Sequence, residues 1–297
     1  MDAAEYIIKV YTETWREKNS FCMGQNYRFQ LLAPPHARNG SAFGRTKSND
    51  QAYRRYLASA QKLRGNVYLK DGAIQPWELD DEGRFHMRGD EQSWHFLLID
   101  DSDEVIGCAR YLVHANTVSY EKLRICHSAL AKDPQWRDKV RLAVEEDLRL
   151  ARTEDFSYVE IGGWALSEEW RNTKAALEIL VASYALAHLW GGCVGSCTAT
   201  VRHGSSSILR RIGGSSLYAA GQPLPPYEDP QYGCFMELLR FDSRSPAQRF
   251  LPLINQLRSK LSGATAIRAG GPQDWKKLPA EVGSRQVNLL RWVPVYR

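Results

Sequence analysis

The segment of the sequence best suited to chemistry is an apolar run that carries one carboxylate and two adjacent glycines. Residues 158–166 read YVEIGGWAL, so Glu160 stands just before Gly162 and Gly163. Glycines inside a strand are typical of a β-bulge. A carboxylate beside a bulge could take a proton from an amine, and a backbone N–H freed near Gly163 and Trp164 could hold a carbonyl oxygen.

Two interpretations of Glu160 stay open at this point. The flanking residues Val159 and Ile161 are apolar, so partial burial would make the carboxylate a stronger base. Alternatively, Glu160 forms a salt bridge with a neighbour such as Arg110 and takes no part in chemistry. The residues alone favour neither.

A second candidate follows along the chain, where a long helix is predicted from about Asn172 to Trp190. A helix start presents unpaired N–H groups and the positive end of the helix dipole, which together attract anions. Two cations and small side chains would let a phosphate approach the backbone here; the residues are Arg171, Asn172, Thr173, Lys174, Ala175 and Ala176. The alternative is an ordinary helix start with two solvated cations, and the P-loop pattern is absent.

Other groups are weaker candidates. Cys193 and Cys197 with His203 suggest a thiol nucleophile and a base, but cysteine is more commonly a small buried apolar residue. The cysteines and histidines lack metal-ligand spacing, so no metal site is expected. The aspartates between Asp100 and Asp103 resemble a cation cluster but fit a hairpin turn better.

Hydrophobic periodicity and turn residues predict an alternation of strands and helices around these candidates. The predicted strands are Gln25–Ala33, His95–Asp100, Glu104–Val113, Tyr158–Leu166, Val194–Val201 and Gly233–Phe241. The predicted helices cover residues 3–19, 50–63, 133–152, 172–190, 205–211 and 246–261, and loops cover 36–50 and the proline-rich stretch up to Pro230. This order predicts an α/β fold in which helices cover a mixed sheet.

The composition is that of a soluble globular protein. The 297 residues are 43% hydrophobic and 25% charged, and the net charge of +5 is too mild for a dedicated nucleic-acid binder, although it favours anionic ligands. No apolar run approaches the roughly 18 residues that a membrane span needs. The first residues lack the pattern of a secretion signal, so a cytoplasmic location is expected.

From Tyr158 to Leu217 the order of the elements resembles the core of the GNAT acyltransferase superfamily. In that family a bulged strand leads into an R-x-x-G-x-G/A turn that holds the pyrophosphate of an acyl-thioester donor. Arg171 and Ala176 match this turn, whereas Lys174 stands where the first glycine is usual. In the short helix that follows, Leu209 stands where a tyrosine often protonates the leaving thiolate.

A narrower resemblance is to the acyl-homoserine lactone synthases and the related N-acyl amino acid synthases. Residues 107–112 (GCARYL) are similar to their G-x-x-R-L-L strand, and residues 160–166 (EIGGWAL) to their E-L-S-R-F-x-V strand. Arg110 and Glu160 match these patterns, while Gly163 stands in place of the second arginine. The likeness covers roughly residues 25–242, which leaves a helical extension over 1–24 and a C-terminal helix and tail over 243–297.

This resemblance implies an N-acyltransferase with a mixed, mainly antiparallel twisted sheet flanked by helices. The donor would be an acyl-CoA or acyl-carrier-protein thioester, its acyl chain plausibly long, and a small-molecule amine would attack it directly without a metal. The implied site residues are Glu160, Gly163 and Trp164 for catalysis, Leu166 and Arg171–Ala176 for the donor, and Arg110 for the substrate. The departures at Leu209, Lys174 and Gly163 leave open a degenerate domain that binds an acyl ligand without turnover, and the oligomeric state also stays open.

Overall fold

The structure is a computed structural model that describes residues 26–35, 37, 45–171, 173–202, 204–230 and 232–270. The helix predicted over residues 3–19 therefore lies outside the described residues. The strands are β1 Tyr27–Ala33, β2 Arg45–Ser48, β3 Trp94–Asp100, β4 Val105–His114, β5 Ser157–Leu166, β6 Cys193–Thr200, β7 Ser215–Ser216, β8 Tyr218–Ala219, β9 Gln222–Pro223, β10 Tyr227–Asp229, β11 Cys234–Asp242 and β12 Thr265–Arg268. The helices are α1 Asp50–Lys70, α2 Ala129–Lys132, α3 Arg137–Thr153, α4 Lys174–Leu189, α5 Ser205–Ile212 and α6 Leu251–Ser262.

Within these residues, ten strands form one sheet in the order β10-β11-β6-β5-β4-β3-β1-β12-β2, with β7 beside β11. The pairs β5–β6, β1–β12 and β12–β2 are parallel, and the other pairs in this sheet are antiparallel. Strands β8 and β9 form a separate two-stranded sheet. The predicted mixed, mainly antiparallel sheet flanked by helices is thus confirmed.

Alternate residues of the central strands contribute to two separate cores, as the two-residue period of a strand requires. On one face Phe96 and Leu98 of β3 pack with helices α4 and α6. On the other face Leu97 and Ile99 pack with helices α1 and α3. Strand β5 lies inside the sheet between β4 and β6, so helices shield it on both faces.

Helix α1 is longer than the sequence pattern predicts. It covers Asp50–Lys70 and does not end near Leu63. Gly65 lies within it because the helix meets a loop closely there: a Cβ on Gly65 would lie 2.5 Å from the backbone oxygen of Gly83. The additional turns bring Arg64 into the protein interior, where only 1% of the residue is exposed.

The last two strands at one side of the sheet, β12 and the edge strand β2, lie where the sequence pattern predicts none. Strand β2 falls within the predicted loop over residues 36–50, and β12 falls within the C-terminal region 243–297. They pair in parallel with each other, and β12 also pairs with β1. Each has only four residues and β2 (RTKS) has no apolar alternation, so their partners rather than their patterns make them strands.

Three further boundaries differ from the predicted ones. Helix α3 begins at Arg137 instead of residue 133, because Asp133 ends helix α2 and starts a turn. Helix α6 begins at Leu251 instead of Pro246, because Ala247 N is bound to Ile212 O at 3.0 Å. The predicted proline-rich loop contains the short strands β7–β10. No helix in the described part of the chain combines the length and apolar composition needed to span a membrane.

Candidate active site

The glycine pair of β5 forms a bulge against β4. Cys108 lies opposite Ala165 and Arg110 lies opposite Gly162, so the pairing register shifts between these two positions. Gly163 has a φ of +62°, a left-handed conformation that glycine adopts without steric cost. Because of the bulge, the side chains in the second half of β5 do not continue the alternation between the two faces of the sheet that the first half shows.

The guanidinium group of Arg64 fills the space beside Gly163. A Cβ on Gly163 would lie 2.9 Å from Nη1 of Arg64 and 3.0 Å from the Cβ of Arg110. The family pattern has an arginine on the bulge itself, whereas here helix α1 supplies a guanidinium from the side. Gly163 is therefore the residue that makes room for Arg64.

Arg64 belongs to a buried charged cluster under the bulge. Its Nη1 and Nη2 donate to the two carboxylate oxygens of Asp90 at 3.0 and 2.5 Å, and Arg110 Nη1 lies 3.5 Å from the same carboxylate. None of these side chains is more than 4% exposed. Although burial opposes it, the Arg64 charge holds the pKa of Asp90 well below its usual range. The ionised Asp90 thus fixes both arginines in place.

His95 is the titratable histidine of this cluster. Its Nε2 donates to the backbone oxygen of Asp90 at 2.7 Å, and the residue is 1% exposed. Burial lowers the pKa of His95 from 6.5 to about 4, an effect that Asp90 opposes and that Arg64 and Arg110 reinforce. The folded protein therefore contains neutral His95 at neutral pH.

We expect His95 to reduce the stability of the protein as the pH falls from 6.5 toward 4. In this window the unfolded chain binds a proton at His95 and the folded chain does not, so the stabilisation present above pH 6.5 is lost on acidification. The two pKa values correspond to a loss of about 2 kcal/mol between pH 7 and pH 5. Denaturant unfolding gives the free energy of unfolding of the wild type and of His95→Gln at both pH values. The loss is the change, between pH 7 and pH 5, in the difference between these two free energies. A difference that does not change with pH would contradict the expectation. The comparison also removes the opposite effect of Asp147, whose pKa burial raises to about 6.

Strands β5 and β6 separate at the bulge. They pair in parallel with Ser157–Ile161 against Cys193–Cys197, and pairing then stops within the described strands although β5 continues to Leu166. On the α4 face the gap holds an apolar pocket of about 40 Å³, whose lining includes Trp164, Tyr184 and Leu209. This volume holds about one water-sized group, so an acyl chain would have to displace side chains of α4 or α5.

Two buried donors line this pocket without a hydrogen-bond partner among the described residues. They are the indole Nε1 of Trp164 and the hydroxyl of Tyr184. The backbone oxygen of Trp164 is held by the hydroxyl of Tyr68 at 2.9 Å, so the strand is anchored at this point. Because an unpaired buried donor costs about 1–3 kcal/mol, the pocket is suited to a ligand that brings an oxygen acceptor.

The two cations at the start of helix α4 lie in different environments. Lys174 Nζ lies 3.2 Å from the buried carboxylate of Glu178, so its charge is paired within the helix. Arg171 is half-buried, and its Nε has no hydrogen-bond partner in the described part of the chain. Of the two, Arg171 has more capacity to bind an anion.

The other residues of the predicted donor site have structural contacts. Thr173 is the N-cap of α4, and its hydroxyl donates to the backbone oxygen of Trp170 at 2.7 Å. Ala175 and Ala176 are buried at the first turn, so the helix start has no bulky side chain of its own there. Leu166 is buried and pairs with Gly107 of β4, and Asn172 lies outside the described residues.

Glu160 is buried on the α1 and α3 face of β5. Its Oε1 accepts hydrogen bonds from the backbone N of Arg124 at 2.6 Å and of Ile125 at 3.3 Å. Its Oε2 lies 3.0 Å from Nε2 of His114, and the side chain is 1% exposed. The side-chain hydrogen-bond partner of Glu160 is therefore His114, while Arg110 pairs with Asp90.

A cavity of about 530 Å³ adjoins this pair, at the end of β4 that extends past β3. His114 lines it but Glu160 does not, and most of the ionisable side chains in its wall are basic. The basic groups are Arg88, Lys122, Arg124 and the two histidines His114 and His127, whereas the acidic Glu121 is paired with Arg141. Burial, and then the charge of Arg124, lower the pKa of Arg110 behind this wall. Such crowding of cations favours an anionic ligand in the cavity.

Several solved structures are similar to the chain. A CoA-dependent acyl-homoserine lactone synthase, BjaI, with SAM and isopentyl-CoA matches 83% of this chain and 95% of its own, with 12% identity and a TM-score of 0.48. The acyl-homoserine lactone synthase LasI matches 74% of this chain and 91% of its own, with 17% identity and a TM-score of 0.43. FeeM, an N-acyl amino acid synthase from uncultured soil microbes, matches 74% of this chain and 93% of its own, with 9% identity and a TM-score of 0.45. The likeness is one of fold. These proteins are of the groups that the sequence resembles, while no protein-family profile and no curated protein sequence matches the chain.

Thiol and metal chemistry have little basis in the described residues. Burial raises the pKa of both Cys193 and Cys197 to about 12, so neither forms a thiolate at neutral pH. His203 lies outside the described residues. No group of three His, Cys, Asp or Glu side chains in the described ranges is placed to hold a metal ion.

Sequence reasoning did not assign a role to Arg64, Asp90, His114 or Arg124. A signal exists for two of them. Arg64 follows buried Ala60 by four residues, which places it on the inward face if the helix continues. His114 follows Arg110 by four residues on one strand, which places both on the same face of the sheet.

Proposed function

We propose that this protein is an N-acyltransferase that moves an acyl group from a thioester donor to a small amine. The observation that carries the proposal is the separation of β5 and β6 at the bulge. It leaves a slot between the two strands with unpaired donors on its α4 face, and the carboxylate–histidine pair lies on the opposite face of β5, just before the strands separate. A thioester in this slot would place its carbonyl oxygen within reach of Trp164 Nε1 or of a backbone N–H of the bulge.

The donor would be an acyl-CoA or an acyl-carrier-protein thioester. Its pantetheine arm would lie along the unpaired part of β5 that ends at Leu166, and its phosphates would lie at the start of helix α4. Arg171 would be the main cation for these phosphates because Lys174 is paired with Glu178, and Ala175 and Ala176 place no bulky side chain at the helix start.

The acceptor would bind in the basic cavity of about 530 Å³. Arg88, Lys122 and Arg124 would hold a carboxylate or phosphate of the amine, with charge-assisted hydrogen bonds that orient it. Arg110 is buried behind this wall and donates to the backbone oxygen of Arg88 at 3.0 Å. Arg110 would therefore support the wall without touching the acceptor.

Donor binding is tested by isothermal titration of the protein with acyl-CoAs of several chain lengths and with an acylated carrier protein. We expect binding of at least one donor, and about tenfold weaker CoA-donor binding in Arg171→Gln because a charge-assisted contact to phosphate is lost. Arg152→Gln is the matched control, since Arg152 is exposed on α3, which packs on the face of the sheet opposite to α4. Absence of binding to every donor would refute the proposed function.

A second candidate is a binding domain of the same fold without turnover. It is favoured by Leu209 in the apolar pocket, where the family pattern has a proton donor, and by the pairing of Lys174 with Glu178. Release of free donor thiol over a panel of amines distinguishes the two candidates. Donor binding without any amine-dependent thiol release would support the second, and turnover that Glu160→Gln abolishes would exclude it.

A further inference from the structure

We propose that His114, and not Glu160, is the group that takes the proton of the acceptor amine, and that Glu160 is the residue that positions His114. This inference rests on the proposed function. It is carried by three features of the described residues: the full burial of Glu160, the commitment of both its oxygens, and the place of His114 in the wall of the basic cavity.

Glu160 is poorly placed to meet a substrate. One oxygen is held by the backbone N–H groups of Arg124 and Ile125, and the other is held by His114. The side chain is 1% exposed and does not line the cavity. A ligand in the cavity therefore meets the imidazole before it could meet the carboxylate.

His114 has the arrangement of a base oriented by a carboxylate. Its Nε2 lies 3.0 Å from Glu160 Oε2, so the imidazole tautomer that donates to this carboxylate carries its hydrogen on Nε2. The lone pair of that tautomer is on Nδ1, for which the described residues offer no hydrogen-bond partner. The side chain of His114 is 17% exposed, so the cavity can reach it.

Among the described residues, charged groups face His114 from the strands and loops around the cavity. Glu160 of β5 is the acid in contact with the imidazole, and Glu121 of the cavity wall is paired with Arg141. The basic groups of the surrounding loops are Arg88, Lys122, Arg124 and His127. The imidazole therefore lies between the Glu160 carboxylate and the cationic side chains of Arg88, Lys122 and Arg124.

His114 Nδ1 takes one proton from the ammonium group of the acceptor, and the free amine attacks the thioester carbonyl. The new C–N bond forms, the C–S bond breaks, and the second proton of the attacking nitrogen ends on the departing sulfur as a thiol. The protonated His114 returns its proton to solvent in the cavity. The products are the amide, the free thiol of the donor and one proton.

The test compares His114→Gln with the wild type in amine-dependent thiol release. We expect kcat to fall about 10²–10⁴-fold, the range of general-base contributions, while the Kd for the donor stays unchanged. The acidic limb of the kcat/KM profile, present in the wild type, should disappear in the variant. In His114→Ala, added imidazole should restore part of the rate. His86→Gln is the control, because His86 is exposed and paired with Asp80 outside the cavity.

Glu160→Gln tests the positioning role. The amide can still accept the backbone N–H groups, but its NH₂ would donate to Nε2 and leave the hydrogen of His114 on Nδ1, the wrong tautomer. We expect a loss of kcat similar to that of His114→Gln, with no rescue by imidazole and an unchanged donor Kd.

If the wild type turns over and His114→Gln keeps its kcat and acidic limb, or imidazole fails to rescue His114→Ala, the inference is wrong and the proposed function stands. If the wild type transfers no acyl group to any amine, both fail.

Discussion

Replacing Asp90 by alanine is expected to lower the free energy of unfolding by about 3–5 kcal/mol, the usual cost of breaking a buried ion pair. The carboxylate of Asp90 accepts both Nη groups of Arg64 and lies 3.5 Å from Arg110, and it also accepts Gln61 Nε2 and Met87 N. Without it, two guanidinium groups remain in the interior with no carboxylate between them. Urea unfolding followed by circular dichroism measures the change.

The exposed carboxylate of Asp103 offers the matched control. It pairs with Arg28 and Arg55 at the surface, so Asp103→Asn should change the stability little. The double variant Arg64→Met/Asp90→Leu should be clearly more stable than Asp90→Ala, because it leaves one guanidinium, that of Arg110, without the carboxylate, whereas Asp90→Ala leaves two. If Asp90→Ala costs no more than Asp103→Asn, the cluster does not stabilise the fold in the way described.

The long helices and central strands of this protein could be predicted from the sequence because they are buried. Most residues of strand β5 and helix α4 are covered by other parts of the protein, so both segments are apolar runs that the sequence shows directly. The hairpin of β3 and β4 has its turn chemistry in Asp100, whose carboxylate accepts Ser102 N and Glu104 N. Strands β2 and β12 lack such signals because their neighbours determine them.

The candidate site could be predicted only in part. Glu160, the glycine bulge and Trp164 lie on one continuous segment, and local spacing shows them together. The groups around them come from distant parts of the chain: Arg64 from helix α1, and Asp90 from the loop before β3. A pattern within one segment has no information about which distant charge will pair with which. For the same reason the sequence suggested Arg110 as the partner of Glu160, while the fold brings His114 to it.

The bulge itself gives the second large effect that we expect. Gly163→Arg would introduce the arginine that the resembled pattern has at this position. If the natural chain had lost donor binding through the absence of this arginine, the substitution should restore donor binding. The geometry predicts the reverse. The φ of +62° costs a non-glycine residue about 1–2 kcal/mol, and a Cβ there would collide with Arg64 Nη1 at 2.9 Å and Arg110 Cβ at 3.0 Å. Displacing Arg64 from Asp90 adds the cost of a broken buried pair, so the total loss of stability should be about 3 kcal/mol or more.

Gly162→Ala controls for any change in the bulge, because the nearest atom to a Cβ on Gly162 is 4.0 Å away and its φ is not left-handed. Urea unfolding should find Gly162→Ala close to the wild type and Gly163→Arg far below it. In Arg64→Ala/Gly163→Arg the new guanidinium can occupy the space that Arg64 leaves and pair with Asp90, so this double variant should recover part of the stability that Gly163→Arg loses. A stable Gly163→Arg with improved acyl-CoA binding would contradict the assignment of this space to Arg64. Recovery by the double variant would mean that a guanidinium from either β5 or helix α1 can fill the space under the bulge and pair with Asp90.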